Sequence, residues 1–433
     1  MNCDGTVTVP RPSHRHGCDY LINNFGAVEG SNGVRTGSGR RRGTVGTGAL
    51  LGALLLTLSA CGGGGQAEEP AAEEESRAAA VAIAIAPEDG AVDVPTQGEL
   101  AVTAEGGTLT EVTVAGPGGE EVAGELTEEA DAWAPSEALA NDTAYTVTAV
   151  GENDEGASET ATATFTTEAA DATFASHWNI PDGSEVGVGM ELSVTFDTPI
   201  ENTAEVGDAV QITTEPPVEV RGHWFGDQRV DFRPEEYWEP GTEVEIRFRL
   251  RGVEGADGVF GTLREDVSFT VGRSQVSTVD VAEHTMEVVR DGESLRTVPI
   301  TAGAPGTETW NGKMVITEKH KETRMDGATV GFGGEYDIPD VPHAMRLSTS
   351  GTFVHGNYWA SSGTFGSDNV SHGCVGLQDR RGAGDPDTDA AWFYENSMIG
   401  DVVEVINSDD DVIAPDNGLN GWNMDWADWG AGQ

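Results

Sequence analysis

One short stretch of the chain gathers the residue types that nucleophilic acyl transfer needs. It reads Asn369-Val370-Ser371-His372-Gly373-Cys374-Val375-Gly376-Leu377, and nineteen residues before the cysteine stands His355, in Phe353-Val354-His355-Gly356-Asn357-Tyr358-Trp359. A thiol with an ordinary pKa of ~8.5 is only a few per cent thiolate at neutral pH, so a nucleophilic cysteine requires a nearby imidazole or another positive field. Two histidines can supply it. His372 lies two residues before the thiol, which in extended chain puts both side chains on one side of a strand. His355 ends a predicted strand, so pairing with a neighbouring strand can set its ring beside the sulfur. Gly373 permits close backbone approach, and the N–H groups of Gly373 and Cys374 can face a developing oxyanion. The pattern is that of a Cys–His acyl-transfer site.

Such a site needs a rigid scaffold, and the surrounding sequence reads as sheet. Alternating runs at 277–281 and 285–289 lead into the turn Arg290-Asp291-Gly292-Glu293, which marks a hairpin. Further strands are predicted at 297–301, 313–318, 351–355 and 401–406. The one clear helix spans 387–397, with Asp387 as its N-cap and Gly400 as its stop.

Upstream, residues 78–169 alternate short Val, Thr, Ala and Ile runs with turn clusters such as Gly106-Gly107 and Pro117-Gly118-Gly119. Strand-length runs at that spacing read as a β-sandwich, with Trp133 as a core aromatic. Residues 170–273 repeat the theme, with strict alternation at 192–196 and 243–250. The pairs His177-Trp178 and His223-Trp224 lack a third ligand at sensible spacing, so those histidines are read as packing residues and no metal is expected. The tail, 408–433, carries Trp422, Trp426 and Trp429, one stripe if helical, and is expected to pack on the domain that precedes it. The fold class is therefore mainly β: two Ig-like β-sandwich domains, 78–169 and 170–273, then a β-rich domain, 274–407, with one or two short helices.

At the other end, Arg40-Arg41-Arg42 precede the apolar run 49–56, which closes on Leu58-Ser59-Ala60-Cys61. A positive start, a run too short to span a bilayer with ~20 apolar residues, and a small-residue cleavage site make residues 1–60 an export signal. Residues 1–33 do not fit that signal, and translation is expected to begin near Val34. The last four residues resemble a bacterial lipoprotein box, which implies lipidation of Cys61 and membrane attachment through lipid only. The acidic 61–77 segment is then a flexible tether. With Cys61 acylated, Cys374 is the sole free thiol of the exported part, and no disulfide framework is expected.

The 433-residue chain carries 24 Lys+Arg against 74 Asp+Glu, a net charge of −50, with only three lysines, Lys313, Lys319 and Lys321. Such a surface repels nucleic acid and anionic lipid, and it resembles those of salt-adapted proteins.

The stretch around Cys374 resembles the L,D-transpeptidase catalytic domain of the YkuD type, whose signature is a histidine followed by Ser/Thr-His-Gly-Cys; here Ser371-His372-Gly373-Cys374 carries it. The similarity runs over 277–406, and the preceding sandwiches look like those of actinobacterial lipoproteins of this family. The resemblance implies Cys374 as nucleophile, His355 as general base, and His372 and Gly373 as motif residues of the oxyanion region. It further implies Tyr336, Met325, Trp359, Ser371 and Gly376 as substrate-binding residues, with Met325 on a loop covering the substrate. Gly356 replaces the Ser more usual after the histidine, and Gly376 stands where many members carry Asn or Arg. The implied reaction joins peptidoglycan stem peptides by 3→3 cross-links, releases D-alanine, needs no cofactor and is open to covalent inhibition by β-lactams, carbapenems above all. The expected location is the exported face of the cell membrane, lipid-anchored and facing the cell wall.

Other readings fit less well. A sortase-like enzyme needs an arginine on an adjacent strand, whereas Arg380 and Arg381 fall in a predicted loop. Papain-like hydrolases place the cysteine well before the histidine. The non-enzymatic alternative is a lipid-anchored Ig-like protein that binds wall polymer through its sandwiches, with an inactive terminal domain.

Overall fold

The computed structural model describes residues 81–430. The export signal, Cys61 and the tether lie outside the described residues.

Alternating strands with one wet face must bury the other, and the first two segments do so by stacking pairs of four-stranded sheets. In the first, strands Ala82–Ala86, Ala101–Glu105, Ala132–Pro135 and Gly124–Leu126 face strands Ala91–Val94, Ser158–Thr167, Ala144–Glu152 and Thr108–Ala115. Val102, Val147, Ala149, Phe165 and Trp133 fill the space between. The second pairs Ser176–Trp178, Leu192–Phe196, Arg229–Pro234 and Val220–Trp224 with Ser184–Val186, Arg264–Val271, Glu243–Arg249 and Val210–Glu215. Its core holds Phe196, Ile246, Phe248 and Trp238. The sandwiches meet where the Thr96 hydroxyl donates to the Gly252 carbonyl at 2.7 Å, in a buried contact. Gly252 takes a left-handed φ of +76°, and a Cβ there would lie 1.8 Å from the Leu139 carbonyl oxygen.

The third segment is a nine-stranded sheet in the order Gly312–Val315, Val402–Ile406, Gln275–Asp280, Thr285–Arg290, Glu293–Thr301, Val375–Gln378, Phe353–Asn357, Asp337–Arg346 and Glu318–Asp326. The predicted hairpin is present, with Asp291 and Gly292 both at positive φ between paired Arg290 and Glu293. The helix is shorter than predicted, Asp389–Asn396, and its N-cap is Thr388 rather than Asp387: the Thr388 hydroxyl accepts from the Ala391 N–H. Alternation did not reveal the long hairpin Glu318–Asp326 and Asp337–Arg346, because its first strand is mostly charged and half-exposed, while its second carries two prolines and buries five residues in a row.

The tail corrects an expectation. Ile413 does bury itself in the core of the nine-stranded sheet, as expected, but Leu419 and the tryptophans pack on the second sandwich. Trp422 joins that sandwich's core and donates its indole N–H to Gly189 O at 2.8 Å, and Trp429 donates to Arg221 O at 2.9 Å. Arg233, buried beneath, lies 4.3 to 5.3 Å from the centres of Trp429, Trp422 and Trp426 and donates to the carbonyls of Gly421 and Met424. Asn423, which exchanges hydrogen bonds with the Lys313 backbone, ties the same segment to the edge of the nine-stranded sheet.

Candidate active site

Two parallel strands at the middle of the large sheet present the chemistry. Phe353–Asn357, the histidine strand, pairs with Val375–Gln378, the thiol strand, so that His355 stands opposite Gly376 and Val354 opposite Val375. Both strands are buried on both faces, which a parallel pair requires. Cys374 enters at the start of the thiol strand. The half-buried thiol packs against Val341, Ala344 and Phe353 together with Met325 and Ile338 of the charged hairpin, which forms a flap over it.

The turn before the thiol is not extended chain. Gly373 has φ +109°, a conformation an L side chain rarely adopts, and Ser371 closes the turn: its hydroxyl donates to Cys374 O at 2.6 Å and accepts the Gly373 N–H at 3.2 Å. The Gly373 amide is therefore already committed, which corrects its expected place as a free oxyanion donor. His372 does not follow strand geometry either. Its partly exposed ring lies against Phe332 and Tyr336 of the flap, at 5.5 and 5.1 Å between centres, with Nε2 3.2 Å from Glu335 Oε2.

Burial pushes the Cys374 thiol up to about 11, against smaller downward pulls from the Phe353 backbone amide and the Arg346 guanidinium. Its sulfur donates toward Gly351 O at 3.6 Å. Burial likewise holds the His355 imidazole below its ordinary value, opposed by the Gly356 backbone and the Asp379 carboxylate. His355 Nδ1 lies 3.0 Å from Gly356 O, which fixes that nitrogen as the N–H and leaves Nε2 as the basic one. The backbone carbonyl thus does what a side chain after the histidine is not needed for. The resting pair is neutral thiol and neutral imidazole, a combination suited to moving the proton only as the sulfur attacks.

Trp359 stacks on His355 at 5.7 Å and 20°, and remains 44% exposed at the mouth of the site. Burial, and the nearby thiol, raise the Tyr336 phenol to about 12, so it stays a hydrogen-bond donor. Met325 sits in a strand rather than a loop, paired with Ile338 near the flap's tip. At Gly376 a Cβ would meet Thr301 Cγ2 at 2.8 Å, so this position contributes backbone only. The structure therefore brings Cys374, Met325, Tyr336, His372 and Ser371 together under the flap, with His355, Trp359 and Gly376 one strand away. Sequence reasoning missed Phe353, Gly351, Glu335 and Asp379. Among the described residues no group of three or more His, Cys, Asp or Glu side chains is placed to hold a metal.

A thiol and an imidazole on adjoining strands of a buried sheet, roofed by a hairpin, define a cysteine acyltransferase. Residues 274–405 match the L,D-transpeptidase catalytic domain, and 91–254 match the bacterial Ig domain. L,D-transpeptidase 2 of Mycobacterium tuberculosis is 34% identical over 354 residues, 79% of this chain and 83% of that protein. L,D-transpeptidase 5 of the same species is 30% identical over 350 residues, 79% and 75% of the two chains. A solved L,D-transpeptidase in complex with imipenem covers 54% of this chain and 99% of its own, with 29% identity and a TM-score of 0.45. The chain belongs to the L,D-transpeptidases.

Proposed function

We propose that Cys374 is the nucleophile and His355 the general base of a peptidoglycan L,D-transpeptidase. The observation that carries this is the neutral pair on adjoining strands: a buried imidazole with Nδ1 tied to a carbonyl, and the one free thiol among the described residues at the floor of the flap. As Sγ attacks the carbonyl at the L-centre of diaminopimelate in a tetrapeptide stem, its proton passes to His355 Nε2. The tetrahedral oxyanion is met by the Cys374 N–H and the Tyr336 hydroxyl. Collapse breaks the bond to D-alanine, which leaves as the amine after taking the proton from His355, and a thioester remains. A diaminopimelate side-chain amine of a second stem then attacks the thioester, gives up a proton to His355 and releases the thiol, closing a 3→3 cross-link; water in its place gives carboxypeptidase activity.

Met325, Tyr336, Trp359, Ser371 and Gly376 line or shape the substrate path, and strained β-lactams acylate the same thiol. Mass spectrometry after incubation with a carbapenem tests this: one adduct on Cys374 is expected, and a folded protein without adduct would favour the inactive wall-binding alternative. Product analysis with a tetrapeptide stem dimer separates transfer from hydrolysis.

The signal over 1–60 and the lipoprotein-like Cys61 support export and lipid anchoring, with the catalytic domain facing the wall. Labelling with a radioactive fatty acid should mark the wild type and not Cys61→Ser.

A further inference from the structure

When His355 takes the thiol proton it becomes a buried cation, which is costly unless an anion stands near. Its own contacts supply none: Gly356 O and the Trp359 face are its neighbours. The nearest built anion is Asp379, the residue that follows the thiol strand, whose amide N–H reaches toward Asn357 O at 3.4 Å. Its carboxylate is fully buried and gathers donors from three directions. His343 Nδ1, on the flap's second strand, lies 2.7 Å from Oδ2; the Arg380 amide and the Thr388 hydroxyl donate to Oδ1 at 2.7 and 3.0 Å. The proposed chemistry of the thiol uses none of these groups. The approach to the base is close: a Cβ on residue 356 would lie 2.0 Å from Asp379 Oδ2, so the carboxylate occupies the space a side chain next to His355 would take. His343 meanwhile holds φ +49°, a strained conformation for a residue with a side chain, inside a strand.

We infer that the Asp379–His343 pair is a positioning device for the base: Asp379, held in place by His343 and Thr388, braces the Gly356 peptide that receives His355 Nδ1–H and faces the imidazolium with a negative charge during acylation. Asp379 takes no proton; the thiol proton stays on His355 Nε2 until the leaving amine accepts it. The inference rests on His355 being the base. It explains why glycine follows that histidine, since only a residue without a Cβ leaves room for the carboxylate. The Tyr394 ring lies 5.2 Å from that of His343, and the Arg380 guanidinium turns to Asp385 at 2.9 Å.

The test is the pH dependence of imipenem acylation, together with NMR titration of the His355 ring, in Asp379→Asn and His343→Phe. Removing the charge in Asp379→Asn should lower the imidazole pKa and the acid limb by about one unit and slow acylation about tenfold. His343→Phe keeps the carboxylate but removes a donor, so the limb should move upward, which gives a second reading if Asp379→Asn does not fold. Limbs and ring titrations that coincide with wild type in a folded variant would overturn the inference, because a purely structural pair alters stability and leaves the base untouched. If imipenem fails to acylate the wild type, the proposed function fails instead, and the ring titration still reports on Asp379.

Discussion

At Cys374 burial raises the thiol to about 11 while His355 is held low, so the site stores no thiolate at rest. This has two measurable consequences. Alkylation by iodoacetamide, which needs thiolate, should be slow at pH 7 and rise about tenfold per pH unit well beyond the ordinary thiol range of ~8.5. Acylation by a strained acyl donor should behave differently, since it needs only neutral imidazole. A base whose pKa is depressed is already neutral above its ordinary ~6.5, so the acylation rate should be on its plateau at pH 7 and fall only in more acidic solution. His355→Ala should abolish acylation; an unchanged rate would identify another base. The cysteine and the histidine were legible in the sequence because each is a rare residue in a short motif. Asp379 was not, being one of 74 acidic residues in the chain until its neighbours are known.

Among the elements, the parallel pairing of the histidine and thiol strands sets the geometry, and it leaves little freedom at residue 356. Gly356→Ala would bring a methyl group to 2.0 Å from Asp379 Oδ2, a separation that backbone or carboxylate must relieve. Overpacking of this kind costs about 1–3 kcal/mol, so we expect a lowered Tm by calorimetry together with reduced acylation. An Ala variant with wild-type Tm and rate would show that the contact is slack. Most catalytic strands were readable from alternation and turn chemistry, the hairpin at Asp291-Gly292 above all. The flap was not, because charged, half-exposed strands such as 318–326 carry no apolar period. Helix 389–396 was found but misplaced at its start, since Asp387 and Thr388 are both good N-caps and only the position of the Ala391 N–H decides between them.

Across the whole molecule, the tail clasps the second sandwich over a buried ionic cluster. Arg229 pairs with Asp231 and donates to the carbonyls of Asp416 and Gly418, while Glu191 lies fully buried beneath Gly421. Burial first, then the Asp231 charge, push the Glu191 carboxyl well above the usual range. A raised folded-state pKa contributes stability that is complete below the unfolded value and is lost as pH rises toward the folded one. Glu191→Gln should therefore raise Tm at pH 8 and change it little at pH 4; equal effects at both would rule out a protonated Glu191. The surface makes a separate prediction. With a net charge of −50, self-repulsion should be relieved by counterions, so Tm should climb between 0.1 and ~2 M NaCl as the screening length shrinks from about 10 Å. A flat response would end the reading of this surface as salt-adapted.

By itself the sequence determined the fold class, the candidate nucleophile and the family, because strand periodicity, turn residues and a motif of rare residues are local signals. Tertiary structure alone decided how that motif works. The Gly373 amide turned out to be spent on Ser371, and the His355 ring is oriented by a carbonyl. An aspartate outside the motif fills the space left by Gly356, and the tail's tryptophans pack on the second sandwich. Each depends on which distant groups share a buried space, and hydrogen bonds and charges act across that space regardless of separation along the chain.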